Sequence, residues 1–211
     1  MELLKKHFGR CATNAYILKS KIGDFIIDPG ENSANWIIEN AKNPIAILNT
    51  HGHFDHIWCN KELKEKFNIP IFCPKEDAFM LENDNFNLGF DTCSPDVKVN
   101  DKDKFYFGEN GLDSTLDSKQ DSICVEYMRF SGHTPGCSII KIDNYIFSGD
   151  FIFNRGIGRV DLPYSNANEM KESLKRFKSF PYSGILYPGH GENTSVEEEK
   201  KNIDLWIETL C

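Results

Sequence analysis

The chain holds seven cysteines, Cys11, Cys59, Cys73, Cys93, Cys124, Cys137 and Cys211, but no Cys-x-x-Cys pair. An odd count without close spacing argues against a disulfide framework and for free thiols in a reducing cytoplasm. No apolar leader region follows Met1-Glu2-Leu3-Leu4-Lys5-Lys6-His7, so a secretory signal is not expected. No apolar run approaches the length of a membrane span. A basic stripe is also missing. With a net charge of -8 and a pI of about 5.3, nucleic acid and an anionic membrane surface are both disfavoured as partners. Internal repeats, low-complexity tracts and linkers are absent too, which leaves one domain over residues 1–211.

What is present is an apolar, phenylalanine-rich globular composition: 40% hydrophobic residues, 12% aromatic, and 16 phenylalanines. A chain of 211 residues buries a sizeable core without staples. Tyr16-Ile17-Leu18 and Phe25-Ile26-Ile27 read as a hairpin, stopped by Asp28-Pro29-Gly30. A helix is expected over Ser33–Lys42, with Trp36, Ile37, Ile38 and Ala41 on its apolar stripe, then a strand over 45–49. A short helix at Lys61–Phe67, a strand at Pro70–Cys73 and a helix at Lys75–Asn83 follow. Between Asn85 and Asp121 the periodicity is poor, and Glu109–Asp121 reads as a solvated loop insertion. Strands are expected near Phe105–Phe107 and over Ile123–Phe130, and a hairpin over 138–142 and 145–147, turning at Asp143-Asn144. Asn168–Phe180 is an amphipathic helix with Met170, Leu174 and Phe177 inward. Gly184–Tyr187 is a short strand, and Glu197–Leu210 a single closing helix.

The chemistry lies in the histidines. Five of six fall into three segments: His51, His53 and His56 in Thr50-His51-Gly52-His53-Phe54-Asp55-His56; His133 in Gly132-His133-Thr134-Pro135-Gly136; and His190 in Pro188-Gly189-His190-Gly191. Between the last two lies Ser148-Gly149-Asp150. Each cluster follows an apolar, strand-like run, so the side chains leave the ends of rigid elements. Imidazole and carboxylate together suit borderline dications. His51 and His53, two apart on an extended loop, can join His133 around one ion. Asp55, His56 and His190 can hold a second, and Asp150, with two oxygens, can bridge them. Two such ions sharing a water lower its pKa to about 7 and make hydroxide available to attack an acyl carbonyl. Asp55 has a second reading, orienting the nucleophile or carrying a proton. Zinc is the expected ion, and iron or manganese also suit this ligand set. Cys59 and Cys137 lie near the motifs in sequence without occupying a ligand position, and His7 reads as a surface residue.

These four clusters, with Asp28 ending an early strand, resemble the metallo-β-lactamase fold superfamily over Asp28 to His190. The resemblance implies an α+β, four-layer αβ/βα sandwich with the metals at one edge of two packed sheets. It implies that Asp28 supports the metal loop rather than ligating. Within the superfamily the chain is most similar to short glyoxalase II-like hydrolases. Gly149-Asp150-Phe151-Ile152-Phe153-Asn154-Arg155-Gly156-Ile157-Gly158-Arg159-Val160-Asp161-Leu162-Pro163 resembles their segment after the bridging aspartate. There Arg159 matches a basic residue placed near a carboxylate of the substrate's thiol part; its competing structural reading is an ion pair with Asp161. The implied activity is hydrolysis of a small-molecule thioester such as S-lactoylglutathione. Glyoxalase II proper carries a C-terminal helical domain for glutathione, whereas Cys211 lies one helix beyond His190, which points to a smaller or different thioester. True β-lactamases commonly carry cysteine at the Asp150 position, which disfavours antibiotic hydrolysis. A persulfide dioxygenase of the same fold would use one iron on His51, His133 and Asp150. A lactonase or phosphodiesterase, and a non-catalytic metal-binding scaffold, are the remaining alternatives. The oligomeric state is not legible.

Overall fold

The computed structural model describes residues 1–85, 87–108, 111–112 and 122–210. Among them, six strands form one sheet in chain order: β1 (Glu2–Phe8), β2 (Thr13–Lys19), β3 (Asp24–Ile27), β4 (Pro44–Leu48), β5 (Ile71–Pro74) and β6 (Val97–Val99). The first three are antiparallel and β3 to β6 run parallel. The second sheet contains β7 (Lys104–Gly108), β8 (Gly111–Leu112), β9 (Ile123–Arg129), β10 (Ser138–Ile142), β11 (Tyr145–Gly149), β14 (Ile185–Pro188) and β15 (Thr194–Ser195). A small hairpin, β12 (Ile152–Phe153) and β13 (Gly156–Ile157), lies between β11 and β14 in the chain. The helices are α1 (Ala34–Asn40), α2 (Phe54–Ile57), α3 (Asn60–Phe67), α4 (Ala78–Glu82), α5 (Ala167–Lys178), α6 (Val196–Lys200) and α7 (Ile203–Thr209).

Strand alternation decides the layering. Along β2, β3 and β4, the residues Tyr16, Leu18, Phe25, Ile27, Ala46 and Leu48 face the second sheet. They meet Phe107, Val125, Tyr127, Ile140, Ile142 and Phe147 there. The intervening Ile17, Ile26 and Ile47 point the other way, against Ile37 of α1 and Leu63 of α3. On the far side, Met128, Ile139 and Ile146 carry α5 through Met170, Leu174 and Phe177, and α7 through Ile203 and Trp206. Both faces of each sheet are therefore apolar, as a helix-covered sheet requires. The result is the expected α+β sandwich of four layers. α5 starts where Asn166 accepts hydrogen bonds from the Asn168 and Glu169 amides, the usual cap for orphan N–H groups.

Most expected elements are present, and the short strands β6, β12, β13 and β15 are additional to them. β1 was not anticipated: it is an edge strand with a lysine pair at Lys5-Lys6. The expected extended loop around the histidine motif contains α2, with His53 at its N-cap and the His56 amide donating to the His53 carbonyl (2.9 Å). The expected closing helix is two helices, parted at Lys201-Asn202. The expected insertion at 109–121 contains Gly111-Leu112 as strand β8, paired with β7; its other residues lie outside the described set. No helix among the described residues is long and apolar enough to cross a membrane. All six described cysteines are free thiols.

Candidate metal centre

The topology sends every histidine cluster to one edge. β3, β4 and β5 are mutually parallel, as are β11 and β14. Their C-terminal ends deliver Asp28, the His51 motif, Asp150 and His190 to the same rim. His133 follows β9, which runs alongside through the antiparallel β10. A bridge between Thr13 and His190, and the Asn14 amide donating to the Gly189 carbonyl (2.7 Å), close the two sheet edges together.

At this rim two sets of ligand-type atoms gather, each within 4.8 Å mutually: His51, His53 and His133; and Asp55, His56 and His190. Asp150 stands between them. One of its oxygens lies 3.4 Å from His133 Nε2 and 3.3 Å from His190 Nε2, and the other 3.3 Å from His56 Nε2. All seven residues named from the sequence as ligands are thus brought together. Asp28, His51 and His56 make a third close group, but Asp28 is already engaged. It accepts from the Thr50 amide (2.8 Å) and the Thr50 hydroxyl (2.6 Å), and faces His56 Nδ1 (3.0 Å). This is the supporting role expected for it.

The imidazoles are oriented from behind. Nδ1 of His133 faces the Arg159 carbonyl (2.9 Å), that of His190 the Cys11 carbonyl (3.0 Å), and that of His56 the Asp28 carboxylate. Thr50 Oγ1 gives its proton to Asp28 and so accepts from His51 Nδ1 (3.0 Å). Each acceptor assigns the proton to Nδ1 and leaves Nε2 free to ligate. Within the site, three buried atoms consequently have no hydrogen-bond partner among the described residues: His51 Nε2, His133 Nε2 and one Asp150 oxygen. His56 Nε2 lies within ionic reach of that oxygen but without hydrogen-bonding geometry. His56 and His190 also turn their Nε2 atoms toward each other at 3.4 Å. Buried polar atoms without partners, and imidazole nitrogens turned toward each other, are costly unless a cation sits among them. The donor set therefore fits divalent metal. Gly189 belongs to the same arrangement: a Cβ there would overlap an Asp150 oxygen and press on the His56 ring.

Without a cation the electrostatics divide the site. Burial drives His53 down to about 3, with His133 adding to it, and holds His51 well below the usual imidazole range, with His56 adding. Burial also opposes charge on His190 and His56. The carboxylates outweigh it, Asp150 foremost, raising His190 to about 9 and His56 well above its ordinary value. Burial would raise Asp55, but His56 and a Thr13 hydroxyl at 2.6 Å bring it to about 2. An aspartate this acidic is ionised at neutral pH. It suits ligation or orientation better than proton storage.

One contributor escaped sequence reading. Asp77, in the single 3₁₀ turn after β5, is fully buried. It accepts from the Gly52 amide (2.9 Å), the Gly136 amide (2.6 Å) and the Thr134 hydroxyl (2.6 Å). One carboxylate thus pins the loop carrying His51 and His53 to the loop carrying His133. Burial raises it to about 6 against these bonds. In sequence, Glu76-Asp77 looks like an ordinary acidic helix start, and nothing marks it. Cys59 and Cys137 are buried in the cores outside the two sheets. It is Cys11 that lines the cavity beside the site, a space of about 560 Å³ bounded also by Phe54, Leu88, Phe153, Arg159 and Leu162. Arg159 reaches this cavity, and its guanidinium is paired in a fork with Asp161 (both contacts 2.9 Å). His7 is exposed, as expected.

Comparison with known proteins agrees with the geometry. The probable metallo-hydrolase YqgX of Bacillus subtilis is 30% identical over 91% of each chain. Hydroxyacylglutathione hydrolase GloC of Haemophilus influenzae is 31% identical over 84% of each. A crystal structure of TTHA1623 in a di-iron-bound form superposes with a TM-score of 0.71 at 26% identity, over 93% of this chain and 96% of that one. The family model of the metallo-beta-lactamase superfamily matches residues 8–190, a span that takes in all three histidine segments and Asp150. With that match, the four-layer sandwich and the histidine–aspartate rim, the chain belongs to the metallo-beta-lactamase superfamily of metallo-hydrolases.

Proposed function

We propose that the protein hydrolyses a thioester at a two-metal centre, with His51, His53 and His133 holding one ion, Asp55, His56 and His190 the other, and Asp150 bridging. The observation that carries this is the position of Asp150, between two complete donor sets and in reach of both. A one-iron dioxygenase would need only His51, His133 and Asp150, yet His56 is as firmly oriented by Asp28 as His133 is by its carbonyl. The likeness to GloC supports a thioester as substrate.

Two bound dications would acidify a water between them and polarise the acyl carbonyl. The chain's own residues do the rest. Asp28, Thr50 and two backbone carbonyls fix the imidazoles before any ligand arrives, so little reorganisation opposes the reaction. Asp55, held by Thr13, stays anionic at neutral pH and directs the attacking water's hydrogens. The apolar cavity wall of Phe54, Leu88 and Leu162 keeps bulk water from the acyl group. In the balanced reaction a carbon–oxygen bond forms and the carbon–sulfur bond breaks. The water's protons end on the leaving thiol and the new carboxylic acid.

Zinc is the proposed ion, and the di-iron relative makes iron its direct competitor. Six free thiols support a reducing cytoplasm, and the net charge of -8 supports small molecules rather than nucleic acid or membranes as partners. The test is elemental analysis of purified protein together with an activity panel. Two metals per chain and thiol release from S-lactoylglutathione or another thioester are expected. One iron per chain, with oxygen consumption and sulfite formation from a persulfide, would replace this reading by the dioxygenase.

A further inference from the structure

The cavity beside the metal-ligand rim bears on which thioester enters. Its floor is the ligand set: His53, Asp55, His133, Asp150 and His190. Its walls are Phe54, Leu88, Phe153, Leu162 and Pro163, and its single lysine or arginine is Arg159. A thioester carried on a peptide-like thiol presents carboxylates, and a carboxylate needs an open guanidinium fork or free backbone donors. One edge of the Arg159 guanidinium is taken: Nε and one Nη donate to the two Asp161 oxygens, both at 2.9 Å, and the pair carries no net charge. Arg10, the chain neighbour of the cavity-lining Cys11, is paired in the same way. Its Nη2 donates to Glu31 at 2.7 Å, and its guanidinium lies 5.9 Å from the Phe54 ring centre and 5.5 Å from that of Trp58. Arg159 in the cavity lining and Arg10 next to Cys11 are thus each neutralised by a carboxylate of this chain. A net charge of -8 adds no attraction for an anion arriving from solution.

We propose that the site is built for a thioester whose non-reacting arm is apolar and uncharged, with Asp161 as a specificity-determining residue that neutralises Arg159 and so weakens its hold on anionic arms. This rests on the hydrolase reading above. An apolar arm gains by leaving water for the phenylalanine and leucine walls, at no electrostatic cost. An anionic arm meets in Arg159–Asp161 a pair of no net charge, and whatever it gains from the remaining guanidinium N–H groups is opposed by the Asp161 carboxylate tethered two residues away. The Arg159–Asp161 pair is well exposed, with side chains 68% and 67% accessible. Exposed pairs are weak, so the gate is one of degree: removing it changes discrimination by about two- to fivefold, not by orders of magnitude.

The experiment uses the full-length, metal-loaded protein. Hydrolysis of S-lactoylglutathione is compared with that of the same lactoyl group on benzyl mercaptan, an apolar neutral thiol, by following thiol release. The neutral thioester is expected to be favoured by at least about tenfold in kcat/KM, as burial of an aromatic arm implies. In Asp161→Asn, whose exposed position leaves folding undisturbed, the gap is expected to narrow about two- to fivefold through a lower KM for the glutathione substrate. Equal or better turnover of the glutathione thioester by the unaltered protein overturns the proposal, as does an unchanged ratio in D161N. Cleavage of neither thioester by protein shown to hold two metals would remove the hydrolase reading itself, and the proposal with it. Cleavage with a preference for the anionic arm removes the proposal alone.

Discussion

At the scale of single residues the site is defined as much by what stands behind the ligands as by the ligands. Asp77 touches none of the seven, yet it ties Gly52, Thr134 and Gly136 together. Substituting Asp77→Asn keeps the size and removes one of two acceptor oxygens, each of which serves the amide of a different ligand-bearing loop. Metal affinity, measured by competition with a chromophoric chelator, should fall about 10- to 100-fold, the usual effect of losing an orienting partner. An affinity unchanged in a folded variant would make Asp77 a packing residue only. A second expectation concerns protons. His190 is raised to about 9, chiefly by Asp150 against its burial, and His56 is raised as well, so His190 is protonated at pH 7 before metal arrives. Ligation requires it neutral. Metal uptake at pH 7 should therefore release at least one proton per chain, and affinity should weaken as pH falls. Calorimetry in buffers of different ionisation enthalpy reads this directly; buffer-independent heats would contradict it. Of these residues, the histidines and Asp150 were legible in the sequence because ligand spacing is local. Asp77 was not, because its three partners lie 25 to 59 residues away.

At the scale of elements, the long amphipathic helix and the buried strands were readable, and the short pieces were not. α5 buries Met170, Leu174 and Phe177 completely, as its periodicity indicates. Phe177 stacks on Phe180 at 5.1 Å and meets Phe151 edge-on at 5.6 Å. Phe177→Ala should cost about 3–5 kcal/mol in unfolding free energy by denaturant titration, the range for emptying an aromatic site in a packed core. A loss under about 1 kcal/mol would mean that this layer is loosely packed. α2 escaped because four residues cannot display a helical period. Its consequence is chemical: the turn puts Asp55 and His56 in one donor set and leaves His53, its N-cap, in the other, so one short motif feeds both. The break at Lys201-Asn202 carries no glycine or proline to announce it. β1 escaped because an edge strand with Lys5 and Lys6 lacks clean alternation.

At the scale of the molecule, the metal centre is also a clasp between the two sheets. His51 and His56 belong to the first sheet's loops, and His133, Asp150 and His190 to the second's. Anything that binds this assembled rim and not the unfolded chain stabilises the fold by mass action. Chelation should therefore lower the thermal midpoint by several degrees, and readdition of zinc should restore it. A midpoint insensitive to chelator would show that the two halves hold together without the ions. The large core between the sheets, built on Tyr16, Phe25, Phe72, Phe107, Tyr127 and Phe147, explains why the metal-free chain is still expected to fold.

The sequence by itself determined the ligand types, their order and the strands that carry them. Each of these is a local property: a residue identity, a spacing, or an alternation over a few positions. It took the tertiary structure to show that Asp150 stands between two donor sets, that Asp77 joins two of the loops, and that Asp161 pairs with one edge of the Arg159 guanidinium. Those facts depend on which strand ends meet at one rim and which way each side chain turns there. That is fixed by the packing of two sheets whose residues lie far apart in the chain.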